Sequence, residues 1–148
     1  MSRFSAKKVI IGIIFILLLT VIGFSGKYIL SKQCNPVKDP KFVDYEIVRV
    51  NLENRDMCLL VAGKPDQWTQ GLMYVRKPIE DYKGMVFSFP TVEKQSFWNK
   101  NTYIDLTLYW MKDGKIVGKD KLPSIEKSKN IITVMSPSAV DTVVEVID

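Results

Sequence analysis

The chain contains no histidine. That absence removes the commonest general base, the Ser-His and Cys-His nucleophile pairs and the usual zinc ligand sets. Cysteine is nearly absent too, and two cysteines cannot hold a structural zinc by themselves. No glycine-rich loop of the phosphate-cradling type is present, and there is no internal repeat or low-complexity tract. Carboxylates remain as possible acid–base groups. Asp105 and Glu93 are the nearest candidates, but no spacing brings them together, and such acids ordinarily sit on a solvated surface. The expectation is a protein with no cofactor and no metal, and not an enzyme.

Acidic residues are also missing from the first 34 positions, which hold Arg3, Lys7, Lys8, Lys27 and Lys32. Without those five, 16 basic residues face 16 acidic ones, so the remainder is neutral and no basic face for nucleic acid is implied. The stretch Val9 to Gly26 is 18 residues long and uncharged. As a helix rising about 1.5 Å per residue it reaches about 27 Å, close to the thickness of a bilayer core. The basic flank of Arg3, Lys7 and Lys8 predicts a cytoplasmic N-terminus and a single pass through the cell membrane. The alternative is a cleaved signal peptide, but Ile22, Phe24 and Tyr28 are bulky where cleavage needs small side chains. Lys32 and Gln33 argue against a lipid anchor at Cys34. The expected organisation is a membrane anchor over 1–30, a linker over 31–40 and an extracytoplasmic β domain over 41–148.

The pattern after the linker is β. Tyr45 to Leu52 and Met57 to Ala62 read as strands around an Asn54-Arg55-Asp56 turn. Lys64 to Gly71 places proline early and glycine last, as a short helix would. Met85 to Phe89 reads as a strand stopped by Pro90. The clearest strand is Thr102 to Trp110, with Ile104, Leu106, Leu108 and Trp110 on an inner face and Tyr103, Asp105, Thr107 and Tyr109 on an outer one. Asp113-Gly114 predicts a hairpin into Ile116-Val117, and Ile131 to Met135 and Thr142 to Ile147 add two strands. Short strands separated by turns predict an all-β domain, a sandwich or small barrel.

Three ordered segments, Gly71-Leu72-Met73-Tyr74, Gly84-Met85-Val86-Phe87 and Phe97-Trp98-Asn99-Lys100-Asn101-Thr102, followed by the Lys112 to Val117 hairpin, resemble the signatures of the family called domain of unknown function 192. The resemblance spans about residues 57 to 147. It implies a compact, jelly-roll-like β-sandwich in a group whose members are often exported or membrane-anchored and have no established activity. The chain departs from the family pattern at three places. Asn99 stands where the third signature usually has Met. Asp105, Leu106 and Thr107 stand where it continues Pro-Leu-Asp. Val75 intervenes before Arg76, which comes one place late.

On the resemblance and the strand faces together, a small-ligand groove is placed at Met73, Arg76, Trp98, Asn101, Asp105 and Thr107, with Arg76 as the anion contact. The competing expectation is that Gly71, Met73 and Trp98 simply complete the sandwich. Met73, Met85, Met111 and Met135 are read as core rather than as cuprous-ion ligands. Cys34 and Cys58 can bridge outside the cytoplasm, closing a loop worth about 3 kcal/mol. The apolar run around Cys58 instead favours a buried free thiol. The function expected is a membrane-tethered binding or interaction module whose partners are the lipid bilayer and an unknown envelope protein or small ligand. The alternative is an envelope enzyme using carboxylate and Arg/Asn chemistry.

Overall fold

A computed structural model describes residues 33–148. In chain order they form β1 (Ile47–Leu52), β2 (Arg55–Ala62), α1 (Pro65–Gln70), β3 (Gly84–Glu93), β4 (Ser96–Trp98), β5 (Leu106–Lys112), β6 (Lys115–Leu122), α2 (Ile125–Ser128), β7 (Thr133–Met135) and β8 (Val140–Ile147). The domain is mostly β, with little helix. Two hairpins are two-residue turns with positive φ at both positions, Glu53-Asn54 at 50° and 63° and Asp113-Gly114 at 50° and 72°. Such turns match the right-handed twist of the strands they join. The first therefore falls one residue earlier than expected, and Arg55 opens β2.

Six strands form one sheet in the order β1-β2-β3-β8-β5-β6, and β4 and β7 form a separate pair. All neighbours are antiparallel except β2 and β3, which run parallel. A parallel pair needs a crossover, and the one between β2 and β3 carries α1 and the Gly71-Leu72-Met73 segment. The sheet curls without closing. At the β1–β2 turn Glu53 accepts hydrogen bonds from Tyr109 Oη of β5 (2.8 Å) and Lys119 Nζ of β6 (3.0 Å). β1 and β6 nevertheless remain unpaired edges, so the small-barrel alternative does not hold.

Both faces of the central strands are buried. On one, Leu60, Met85, Phe87, Leu106, Leu108, Trp110 and Val143 pack with Phe42, Leu72, Val75 and Tyr82 from the loops. On the other, Leu52, Met57, Leu59, Tyr109, Val144 and Val146 form a smaller core. This corrects the outer-face assignment in β5. Ile104, Leu106, Leu108 and Trp110 are buried as expected, but Thr107 and Tyr109 are 4% and 1% exposed. The strand pairs on both sides, with β6 and β8, and the curl covers its second face. It also begins at Leu106 rather than Thr102.

Pro90 does not stop β3. The register with β8 shifts between Ser88 and Glu93, and the proline sits inside that irregularity, where no ladder donor is required. The segment expected to be linker packs on the domain. Val37 belongs to the core, and Cys34 is disulfide-bonded to Cys58 of β2 with Cα atoms 5.7 Å apart. The free-thiol expectation for Cys58 is thus replaced by a bridge. Among the described residues no helix is long and apolar enough to cross a membrane. The expected anchor falls within residues 1–32, outside them.

Candidate functional site

The site begins with an acid in an apolar strand. β8 reads Val143-Val144-Glu145-Val146-Ile147. Alternation along the strand places Glu145 with Val143 and Ile147 on the face of the larger core. Its neighbours across the ladders are Met85 of β3 and Leu108 of β5. Glu145 is 4% exposed, no donor among the described residues pairs with its carboxyl, and the carboxyl oxygens reach accessible surface only at the recess described below. Burial alone pushes this carboxyl up to about 8, because desolvation penalises the charged form.

Two glycines of the signature segments let the backbone close around this acid. A Cβ on Gly84 would lie 1.9 Å from the Glu145 carbonyl oxygen, so only glycine permits β3 to approach β8 there. Gly71 ends α1 at φ 46°, ψ −140°, a conformation side chains avoid, with its N–H donating to Gln67 O at 2.9 Å. Its Cα hydrogen points at the site, since an added Cβ would stand 4.0 Å from Glu145 Oε2 and 3.6 Å from the Phe87 ring.

The carboxyl faces a recess of about 30 Å³ walled by Gly71, Met73, Phe87, Phe97, Trp98 and Thr102. That is room for about one water. Beside it runs a more open cleft lined by Trp68, Phe89, Glu93, Gln95, Ser96 and Phe97, continued over Pro65, Thr69 and Thr133. Trp68 is held in place by its indole N–H, which donates to Ala62 O at 3.0 Å, and it packs on Phe89 at 5.3 Å between ring centres. Phe97 joins cleft to core, meeting Phe87 edge-on at 4.8 Å and Trp110 at 5.7 Å. Trp98 is 46% exposed, with Lys100 Nζ 5.3 Å over its ring. Half-exposed aromatic rings beside one polar group are the usual makings of a small-ligand site.

Met73 and Trp98, expected in a groove, do line this recess. The other four expected residues stand elsewhere. Asn101, at φ 56°, is a clip: its Nδ2 donates to Tyr74 Oη at 3.0 Å while its carbonyl accepts from Tyr74 N at 2.7 Å. It ties together the two loops that form the recess. Arg76 lies over the Tyr103 ring at 3.8 Å and pairs with Glu126 at 3.4 Å, exposed to solvent. Asp105 accepts from Ser124 N and Lys127 Nζ, both at 2.8 Å, which docks α2. The Lys127 ammonium, and then the Ser124 N–H, hold this carboxyl below its ordinary value. Thr107, on the opposite face of the sheet, accepts from Lys121 Nζ at 2.7 Å and donates to Asp148 Oδ1 at 2.5 Å.

Asn99, the departure from the family's Met, is fully buried and tied on every side. Its Nδ2 donates to Pro123 O (2.9 Å) and Ser128 Oγ (2.8 Å), and its Oδ1 accepts from Ile132 N (2.8 Å). It fastens β4 and β7 to α2 below the cleft. Val75, the inserted residue before Arg76, is buried in the core, and Tyr74 turns the chain at φ 65° to put it there. Each departure therefore carries a packing or hydrogen-bonding role in this chain.

Residues 47–148 match the model of the family described as domain of unknown function 192, uncharacterised ACR. The chain belongs to that family. Among solved structures it is similar to one from Sinorhizobium meliloti 1021, described as a candidate transcription regulator. The two share 30% identity over 70% of this chain and 79% of that one, with a TM-score of 0.51. It is also similar in fold to a protein of unknown function from Novosphingobium aromaticivorans DSM 12444. There the identity is 17% over 70% and 73% of the two chains, with a TM-score of 0.55. No curated protein matches the chain. The glycines of the family's Gly-Leu-Met and Gly-Met-Val-Phe segments both pack against Glu145, and Trp98 and Thr102 of its third signature wall the recess.

Proposed function

We propose that this family member is a membrane-tethered extracytoplasmic binding module, a jelly-roll-like sandwich that holds a small ligand in the cleft over Glu145. One observation carries the reading. A carboxyl on the core face of β8, with no partner among the described residues, faces a recess that opens into an aromatic cleft. Buried polar groups are ordinarily paired, and an isolated buried acid lowers stability. A ligand that hydrogen-bonds to it offsets that cost. The apolar run from Val9 with its basic flank supports the tether, and the Cys34–Cys58 bridge supports an oxidising compartment.

The catalytic alternative is weaker. A carboxyl raised by burial could serve as a general acid, but the recess has no second carboxylate, and Glu93 lies in the adjoining cleft. A role in transcription, suggested by the likeness to the S. meliloti protein, gains nothing from the equal numbers of acids and bases after residue 34.

The three tryptophans make the test specific. Trp68 and Trp98 line the cleft, whereas Trp110 is buried and its indole donates to Asp120. With the full chain labelled at tryptophan nitrogen, in detergent, small amines, polyols, monosaccharides and carboxylates are titrated one class at a time. At least one class is expected to move the Trp68 and Trp98 indole signals and leave Trp110 in place, and Trp98→Ala to abolish the response. Silence from both cleft indoles across all classes would remove the site.

A further inference from the structure

The walls of the recess and of the clefts beside it include two acids, Glu145 and Glu93, and several aromatic rings, but no lysine or arginine. Lys100 stands at the edge, where its ammonium already uses the Trp98 ring as a cation-binding face. The groups packed against the Glu145 carboxyl itself are neutral: Met85 and Leu108 across the ladders, Gly71 at the end of α1, and Met73, Phe97 and Thr102 around the opening. Such a lining disfavours an anionic ligand by charge alone.

Size narrows the choice further. A recess of about 30 Å³ takes one water-sized group. A hydroxyl or a primary ammonium fits, and a quaternary ammonium with its four carbon substituents does not. Between the two that fit, the isolation of the carboxyl decides. A hydroxyl donates one hydrogen bond to the acid but brings no counter-charge to its ionised form. A primary ammonium offers a charge-assisted bond, about twice as strong, and supplies the counter-charge that the recess lacks. Its remaining N–H groups can point to Thr102 and out to the cleft.

Resting on the cleft reading above, we infer that the ligand presents a primary ammonium group to the Glu145 carboxylate, with the chain or ring bearing it laid along Trp68, Phe97 and Trp98. An alkyl amine and an amino sugar share this chemistry, so n-butylamine and glucosamine are both used as probes. n-Butanol serves as the neutral match and tetramethylammonium as the oversized cation.

The test is a titration of the full chain in detergent, read from the Trp68 and Trp98 indole signals at pH 6 and pH 9. Because burial pushes Glu145 up to about 8, only about 1% of it is ionised at pH 6 and most of it at pH 9. The affinity for n-butylamine, which stays an ammonium at both pH values, is therefore expected to rise by about 100-fold between them. Glu145→Gln should remove this rise and weaken amine binding at pH 9 at least 10-fold. It keeps the side-chain shape and breaks no bond, and circular dichroism checks its fold. Trp98→Ala should abolish the Trp68 response to the amine at both pH values, as it does in the wider screen. Compared at pH 6, where both amines are protonated, preference for butylamine over glucosamine identifies a linear carrier, and the reverse identifies a ring.

Butanol binding as well as butylamine, with no pH dependence, would overturn the ammonium assignment while leaving the cleft as a site for neutral ligands. Tetramethylammonium binding as well as butylamine would place the cation on the rings instead of in the recess, and would also overturn it. No response from either cleft indole to any of the four probes counts against the ammonium assignment. Only silence across every class in the wider screen removes the cleft itself.

Discussion

The stability of this protein should fall as pH rises from about 5 to 8, and Glu145→Gln should abolish that fall. Glu145 has a folded-state pKa of about 8 against 4.5 for the free side chain. Between those values the unfolded chain has lost the proton and the folded chain keeps it. The folded state binds more protons, so stability decreases with pH. At about 1.4 kcal/mol per pH unit, the loss is about 3 kcal/mol by pH 7 and about 5 kcal/mol above pH 8. No histidine competes in this window. Among the described residues, Asp105 and Asp141 are held low by hydrogen bonds from Lys127 and from the Asp113 N–H respectively, so their contributions are lost only at acid pH. Lys127 is raised by its bond to Asp105 and loses its contribution only in strong base. Urea unfolding of the full chain, followed by tryptophan fluorescence, reads the domain selectively, because all three tryptophans lie within it. Wild type and Glu145→Gln should have similar midpoints at pH 5 and differ by several kcal/mol at pH 8.5, with the variant more stable. Parallel pH profiles would refute the reasoning, since they would mean the carboxyl is solvated or paired.

Other outcomes follow from the packing. Asn99→Leu, which approximates the family's Met in shape, should cost about 2–4 kcal/mol in denaturant, because it strands Ile132 N and Pro123 O in the interior. Equal stability would show that these groups find other partners. Leu106→Ala should cost about 2–5 kcal/mol and Thr107→Ala about 1–2 kcal/mol, the latter through its bonds to Lys121 and Asp148. Cys58→Ser should lose about 3 kcal/mol for the 24-residue separation that the bridge closes, and mass spectrometry of the unreduced protein should find no free thiol in wild type. Protease added outside intact spheroplasts should digest residues 41–148, and complete protection of that domain would contradict the proposed topology.

Much of the β pattern was legible because alternation and turn chemistry are local. Asp113-Gly114 named its own hairpin, and the Leu106, Leu108, Trp110 row faced inward as the period of two requires. Thr107 and Tyr109 were misread for a reason alternation cannot supply: a curled sheet buries both faces of its central strands. Pro90 looked like a terminus because a β irregularity that tolerates proline leaves no local mark. The disulfide depends on how the segment before β1 folds back onto β2, a long-range fact. Of the candidate site, Met73 and Trp98 were legible from the ordered signatures. Glu145 was missed, although its signal was present as a lone acid among Val143, Val144, Val146 and Ile147. What the sequence did not reveal was that its face turned inward and that no basic side chain came to meet it. Asn101 and Asp105 have the residue types of ligand contacts, but their bonds to Tyr74, Ser124 and Lys127 make them fasteners of loops.

The most direct measurement is the titration of the Glu145 carboxyl itself, by carbon-detected nuclear magnetic resonance on the full chain labelled at glutamate. A midpoint near 8 that falls when n-butylamine is added is the expected result, because an isolated carboxyl in a recess should ionise only with difficulty and more easily beside an ammonium. A midpoint near 4.5, unmoved by the amine, would contradict the account.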